Sequence, residues 1–258
     1  MTKRIDTTGY DTDKGILPQY LKIYEEYFEH LVSKDIKLLE LGVAEGGSLL
    51  LWRDYFEKGI IVGLDINPCH VDDPTGRIRI YQGAQQDTDL LDCIAREQAP
   101  ECFDVIIDDC SHIGELTRIS FWHLFENHLK PGGIYAIEDF GTGYMDSWID
   151  GKHYKPVSPS PYDRLRSHIA PLVESLLGKN IFHPFPRVLN YIRRYVVYKR
   201  RIHSHDYGMV GFVKELIDAC CGQKARWGSG PYRSSQIHQL HISFNRVIVL
   251  KSQLEKHS

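Results

Sequence analysis

The sequence has little that would tie it to an oxidising compartment, a membrane or a nucleic acid. Its six cysteines (Cys69, Cys93, Cys102, Cys110, Cys220 and Cys221) show no CxxC or finger-like spacing, and the last two are adjacent. That pattern argues against a disulfide framework and a zinc finger, and free thiols in a reduced compartment are expected. No apolar run approaches the roughly 20 residues that span a bilayer. Met1-Thr2-Lys3-Arg4-Ile5-Asp6 has no apolar signal core, so the expected location is cytoplasmic. There is no basic excess either: 31 Lys and Arg stand against 34 Asp and Glu, a formal net charge of -3. A nucleic-acid binder uses such an excess to neutralise phosphates, so no nucleic-acid partner is expected. What remains is a globular chain of 258 residues, 42% hydrophobic and 25% charged, long enough to bury a substantial core.

Short apolar runs alternate with helical patterns. Tyr20, Ile23, Tyr24, Tyr27, Phe28 and Leu31 recur at three- and four-residue intervals, predicting a helix over 18–32. Strands are predicted at 36–41, 60–64, 78–81, 103–107 and 134–137, with helices at 48–56, 88–98 and 113–129 between them. Strands alternating with helices imply a parallel sheet covered on both faces. Lys130-Pro131-Gly132-Gly133 reads as a turn. Towards the end, a helix over 207–221 with Gly222 as its glycine cap precedes two β-rich runs, 238–244 and 247–251. Only Asn245-Arg246 separates them, so the last strand should run antiparallel. Residues 141–204 are rich in Pro, Tyr, His and basic side chains, and far exceed an ordinary connection. They are expected to form a lid or substrate wall, with a helix over 162–177. Arg193, Arg194, Lys199, Arg200 and Arg201, interleaved with Tyr191, Tyr195 and Tyr198, read as a solvated helix face or as a lip for an anionic or glycan ligand.

Two acidic clusters carry most of the chemistry. Asp108-Asp109-Cys110-Ser111-His112 follows one predicted strand and Glu138-Asp139 follows the next. Neighbouring parallel strands would bring these carboxylates and an imidazole to one edge of the sheet. Crowded carboxylates oppose one another's ionisation, and a hard divalent cation such as Mg²⁺, which favours oxygen ligands, resolves the conflict. Ser111 is expected to cap the following helix.

A third feature is the turn Glu40-Leu41-Gly42-Val43-Ala44-Glu45-Gly46-Gly47-Ser48 after the first predicted strand. Glycines there let the chain turn sharply and a ligand approach the backbone. The spacing is Gly-x-x-x-Gly-Gly, and the acid Glu40 precedes it. A carboxylate at that point repels a pyrophosphate and suits the cationic sulfonium and ammonium of S-adenosylmethionine, which favours that cofactor over NAD. Asp65, ending the second strand, sits where an acid takes the hydroxyls of an adenosine ribose. Gly83-Ala84-Gln85-Gln86-Asp87, after the third strand, reads either as an adenine-edge loop or as a polar loop with Asp87 as a helix cap.

Residues 38–49, 63–65, 103–112 and 129–140 together resemble class I S-adenosylmethionine-dependent methyltransferases. More narrowly they resemble the metal-dependent sugar O-methyltransferases of macrolide biosynthesis (the mycinamicin and tylosin type), whose pattern cephalosporin hydroxylase-like proteins share. The likeness takes in Thr12-Asp13-Lys14-Gly15 and the terminal hairpin, and covers about residues 10–140 and 205–251. Phe140-Gly141-Thr142-Gly143-Tyr144 departs from the family's pattern, which bears on the substrate more than on the chemistry. The resemblance implies an α/β, Rossmann-like fold with a seven-stranded, mostly parallel sheet, an antiparallel last strand and helices on both faces. It implies one domain over 1–258: a lid and helix (1–34), a cofactor-binding core (35–140), the insertion (141–204), and a terminal helix and hairpin (205–258). Asp109, Glu138 and Asp139 would hold Mg²⁺ and His112 would be the general base. Lys14, Glu40, Gly42, Gly46, Ser48, Asp65, Gln85 and Asp109 would surround S-adenosylmethionine. The expected acceptor is a hydroxyl of a sugar or glycan, on a small molecule or an oligosaccharide, with a homo-oligomer left open. Three alternatives stand beside this: a non-heme iron oxygenase-like enzyme, a metal-independent small-molecule O-methyltransferase, and a binding protein with a vestigial pocket.

Overall fold

A computed structural model describes residues 4–16, 18–153, 168–169, 207–222 and 235–253. Contacts divide the chain into two compact units, residues 1–153 with 206–258 and residues 154–205. The fold below is that of the first. The helix predicted over 162–177 and the basic, tyrosine-rich stretch 191–201 lie outside the described residues, apart from two helical positions, 168 and 169.

Seven strands make one sheet: β1 (Lys37–Leu41), β2 (Ile60–Asp65), β3 (Ile78–Gln82), β4 (Phe103–Asp108), β5 (Leu129–Glu138), β6 (Ile237–Ser243) and β7 (Arg246–Lys251), in the spatial order β3-β2-β1-β4-β5-β7-β6. The first five pair in parallel, and β7 is antiparallel to both of its neighbours. Alternate residues of β1 to β5 and of β7 feed two separate cores, as the two-residue period of a strand requires. Leu39, Leu41, Val62, Leu64, Ile106, Tyr135 and Val249 pack on one face with α3 (Thr88–Gln98), α4 (Gly114–Asn127) and α6 (Gly208–Gly222). Leu38, Ile61, Val105, Ile107, Ala136 and Ile248 pack on the other with α1 (Pro18–Phe28) and α2 (Gly47–Tyr55). A short helix, α5 (Ile149–His153), follows the sheet's fifth strand. The strand order reverses between β1 and β4, and open α/β sheets bind ligands outside the carboxyl ends of their strands at that point.

Four local expectations are revised. The predicted turn at Lys130–Gly133 is drawn into β5. Leu129 already pairs with Phe103, and a register shift before Val105 absorbs the Pro-Gly-Gly. The hairpin turns on Phe244 and Asn245 instead of Asn245-Arg246. Asn245 supplies the left-handed residue, with φ 63°. That one-residue slip makes Arg246 the first residue of β7, paired with Glu138 and buried, and slipping a strand by one residue exchanges its two faces. Gly222 is the last residue of α6 and not a cap beyond it. Ser111 does not cap α4. Its hydroxyl accepts from Ile113 N at 3.2 Å, while Asp150 Oδ2 accepts from Gly114 N at 2.8 Å and from Met209 N at 2.7 Å. One buried carboxylate thus serves the first turns of both α4 and α6, where backbone amides lack partners.

Candidate active site at the carboxyl ends of β1, β4 and β5

The turn after β1 is shaped by conformations that glycine tolerates. Gly42 (φ +81°) and Gly46 (φ +84°) are left-handed, and a Cβ on Gly42 would lie 2.2 Å from the Asp109 carbonyl oxygen. Asp65 braces the same turn: its Oδ2 accepts from Val43 N at 2.9 Å and Ala44 N at 3.1 Å, and its Oδ1 from Asn67 N at 2.8 Å. Gln85 ties two further loops together. Its Oε1 accepts from Ser111 N at 3.0 Å, and its Nε2 approaches both Asp108 oxygens at 3.3 Å and Ser120 Oγ at 3.2 Å. These loops wall a cleft of about 550 Å³ that Gly42, Ser48, Asp65, Gln85, Asp109 and His112 help to line. Glu40 is fully buried behind that wall, accepting from Ser48 Oγ at 2.8 Å.

The lining of the cleft includes a buried ammonium. Thr12 Oγ1 accepts from Lys14 N at 3.3 Å and caps the short 3₁₀ turn Asp13–Gly15. The Lys14 side chain is 1% exposed, and its Nζ lies 2.7 Å from Asp109 Oδ2, 2.8 Å from Glu138 Oε1 and 3.2 Å from Glu40 Oε1. Burial alone would pull the ammonium down, but the three carboxylates together hold it well above the ordinary lysine value. Glu138 Oε1 also accepts from Tyr24 OH at 2.5 Å, and its Oε2 accepts from Nε and Nη2 of the Arg246 guanidinium, Nε at 2.9 Å. Arg246 in turn lies over the Tyr24 ring, 4.8 Å from its centroid. Burial opposes the Glu138 charge, yet Lys14 and Arg246 outweigh it and hold that carboxyl below the usual range. Asp109 pairs with Lys14, but burial and then Glu138 outweigh that pairing and push its carboxyl up. The two titrate as a unit.

Asp109 faces two ways. Oδ2 binds the buried lysine, and Oδ1 lies 4.0 Å from His112 Nε2. Asp109, His112 and Asp139 each bring one potential ligand atom within 4.8 Å of the other two. Opposite ligands of an octahedral Mg²⁺ are about 4.2 Å apart, so this oxygen-rich set would fit a hard divalent ion after closing by roughly 0.6 Å at most. Burial raises the Asp139 carboxyl, and burial lowers His112, which therefore rests as a neutral imidazole. Both residues have left-handed backbones, φ 53° each, a strained choice for side chains other than glycine. Thr142 Oγ1 donates to Asp139 O at 2.8 Å, Asn245 Nδ2 donates to Asp139 Oδ1, and Trp148 meets the His112 ring edge-on at 5.3 Å.

The expected ligand Glu138 has both oxygens engaged by the groups just described. Tyr24, Asn245, Arg246 and Trp148, which bind or pack on the cluster, went unassigned in the sequence. One signal was available for Arg246: a cation directly before the apolar run Val247-Ile248-Val249-Leu250.

Asp108 is fully buried and gives a separate test. Burial pushes its carboxyl up to about 6, against the hydrogen bonds from Ser120, Tyr135 and Gln85. A raised folded-state value means that ionisation costs stability. The cost is absent below pH ~4 and complete above pH ~6. It amounts to about 3 kcal/mol, the free energy that separates a carboxyl titrating near 6 from one titrating near 4. Between pH 4 and pH 7, Asp108→Asn should gain on the wild type by about that amount in urea unfolding. A stability difference that stays flat across that range would show that the buried acid carries no such cost.

No protein-family profile matches the chain. Individual proteins do. The chain is 43% identical over 218 residues to the mycinamicin VI 2''-O-methyltransferase of Micromonospora griseorubida, covering 81% of this chain and 51% of that protein. It is 38% identical over 222 residues to the demethylmacrocin O-methyltransferase of Streptomyces fradiae, covering 83% and 53%. The chain therefore spans about half the length of the curated relatives it matches. Among solved structures, the mycinamicin-pathway methyltransferase MycE in complex with Mg and S-adenosylhomocysteine superposes with a TM-score of 0.66 at 30% identity, covering 97% of this chain and 55% of that one. Among the described residues, no helix is long and apolar enough to cross a membrane. By sequence and by fold, the chain has the Rossmann-like fold of class I S-adenosylmethionine-dependent methyltransferases and is similar, over about half of their length, to the sugar O-methyltransferases of the mycinamicin and macrocin type.

Proposed function

We propose that the chain transfers a methyl group from S-adenosylmethionine to a hydroxyl of a sugar or glycan, with Mg²⁺ assistance. The observation that carries this reading is a continuous cleft. The glycine turn, Asp65, Asp109, His112 and Asp139 all line it. The relatives' names, and the structure of MycE with Mg, S-adenosylhomocysteine and mycinamycin VI, support the same reading.

In this reading Gly42 admits the cofactor to the backbone, and Asp65, with lone pairs left after bracing the turn, accepts from the ribose hydroxyls. Ser48, Gln85 and Lys14 complete the cofactor side, Lys14 and Gln85 chiefly by fixing Asp109 and the loop after β4. Glu40 and Gly46 act from behind the wall. Glu40, paired with Lys14, would contribute negative charge to the wall that receives the cationic cofactor, and Gly46 opens α2. Asp109 and Asp139 hold the metal, and Glu138 joins them to the extent that Lys14 and Arg246 release an oxygen. When bound, Mg²⁺ supplies the charge that acidifies and positions the acceptor oxygen. His112, neutral at pH 7, takes the proton from that oxygen. An iron oxygenase would want two imidazoles beside a carboxylate; the cluster in the cleft has His112 alone among the described residues. We place this activity in the cytoplasm, with a diffusible acceptor and no nucleic-acid partner. None of the named site residues needs a second copy, so monomer and homo-oligomer serve equally.

The test is a panel of glycosylated acceptors incubated with S-adenosylmethionine and read by mass spectrometry. One acceptor should gain about 14 Da. EDTA should remove the gain, and Mg²⁺ should restore it. Turnover that is indifferent to EDTA would remove the metal from the reading.

A further inference from the structure

A second cluster of ligand-type side chains lies away from the cleft. His123 is near the end of α4, His128 is that helix's C-cap residue, and Asp92 is on α3. Both imidazoles point Nε2 at the same atom, Asp92 Oδ1, from 2.7 and 2.6 Å. The rings lie 5.3 Å apart and are inclined by 56°, so they converge without stacking flat. His128 O accepts from Phe103 N at 2.7 Å, at the start of β4. Asp109 follows the other end of that strand, so the two clusters sit at opposite ends of β4.

We propose that Asp92, His123 and His128 form a second metal site, for a borderline transition ion of the Zn²⁺ or Co²⁺ kind, which clamps α3 to the junction of α4 and β5. Three ligand atoms, two nitrogens and one oxygen, already lie within 4.8 Å of one another. Ligands at about 2.0–2.1 Å from a tetrahedral ion stand about 3.3 Å apart, so each N–O gap has to widen by only about 0.6 Å. Imidazole nitrogens select Zn²⁺, Co²⁺ or Ni²⁺ over Mg²⁺, which prefers oxygen. The site is open to an arriving ion, with the side chains of Asp92 44% and both histidines 19% exposed. It borders a hollow of about 600 Å³ that Arg96 and Cys102 also line, which leaves a fourth position for water. Charge points the same way. One imidazolium suffices to neutralise Asp92, whereas two neutral imidazoles and one carboxylate leave a divalent ion with a single positive charge.

Metal-stripped wild-type protein is titrated with Co²⁺ at pH 7.5, following visible absorption and thermal unfolding. His123→Gln/His128→Gln is the main variant, Asp92→Asn the second, and Asp109→Asn the control for the cleft. The wild type should bind one more equivalent of Co²⁺ than the double variant, and Zn²⁺ should raise its unfolding temperature by several degrees. The Asp109→Asn control should keep the equivalent bound by Asp92, His123 and His128 and the rise in unfolding temperature with Zn²⁺, and the double variant should keep its affinity for S-adenosylmethionine. Equal Co²⁺ stoichiometry in the wild type and the double variant overturns the proposal, as does loss of all Co²⁺ binding in Asp109→Asn. If the double variant does not fold, Asp92→Asn decides by the same stoichiometry.

Discussion

His112→Ala is expected to lower kcat by about 10²–10⁴, the usual contribution of a positioned general base, while the affinity for S-adenosylmethionine stays within a few-fold. The expectation follows from geometry first. His112 lines the cleft, its Nε2 stands 4.0 Å from Asp109 Oδ1, and Trp148 packs against its ring edge. Its protonation state follows from burial, which lowers it and so leaves the ring ready to accept a proton at neutral pH. The wild-type rate should rise with pH through the imidazole's titration, and the variant should lose that limb. A Mg²⁺ titration separates two roles. A base leaves the apparent Mg²⁺ affinity in place, whereas a metal ligand takes it away, and His112 is close enough for either. A variant that turns over within threefold of the wild type would remove His112 from the chemistry altogether.

How much of this was legible in the sequence depended on whether the signal was local. The parallel sheet could be read because each strand is a short apolar run with a helical pattern beside it. The alternation of Leu38 with Leu39, and of Val105 with Ile106, into two cores confirms why those runs are apolar throughout. The carboxylate edge was legible for the same reason: Asp109 and Asp139 directly follow strand ends. The hairpin register was not. Asn245-Arg246 and Phe244-Asn245 look alike as turn candidates, and only the pairing of Arg246 with Glu138 decides between them. Nor did sequence spacing reveal that Asp150 would cap α4 from 36 positions away, or that Tyr24, on a helical face that reads as plain core, would donate to Glu138. Those are long-range contacts made by residue types with ordinary local explanations.

The carboxylates were expected to need a cation, and the structure supplies two from the chain itself. Lys14 arrives from the amino-terminal turn and Arg246 from the terminal hairpin, so the charge balance of the site depends on both ends of the described fold. Asp109 is where this internal compensation meets the open cleft, with one oxygen on the lysine and the other towards His112. Lys14 therefore does more than line the cleft. It fixes the spacing of Glu40, Asp109 and Glu138 before any ligand arrives.

Lys14→Met should then destabilise the protein by about 3–5 kcal/mol, the usual penalty for leaving one partner of a buried ion pair without the other. Methionine matches the length and apolar character of the lysine stem, so the loss reports charge and not a cavity. The deficit should shrink as pH falls from 7 towards ~4. Without the ammonium, the carboxyls titrate above their unfolded values, and groups raised in that way lose stability as pH rises. Mg²⁺ should also stabilise the variant more than the wild type, because a divalent ion beside Asp109 replaces part of the missing charge. Urea unfolding at two pH values, with and without millimolar Mg²⁺, checks all three effects. A variant within about 1 kcal/mol of the wild type at pH 7 would mean that the three carboxylates do not depend on this lysine. A pH-independent deficit would mean that its contribution is packing and not charge.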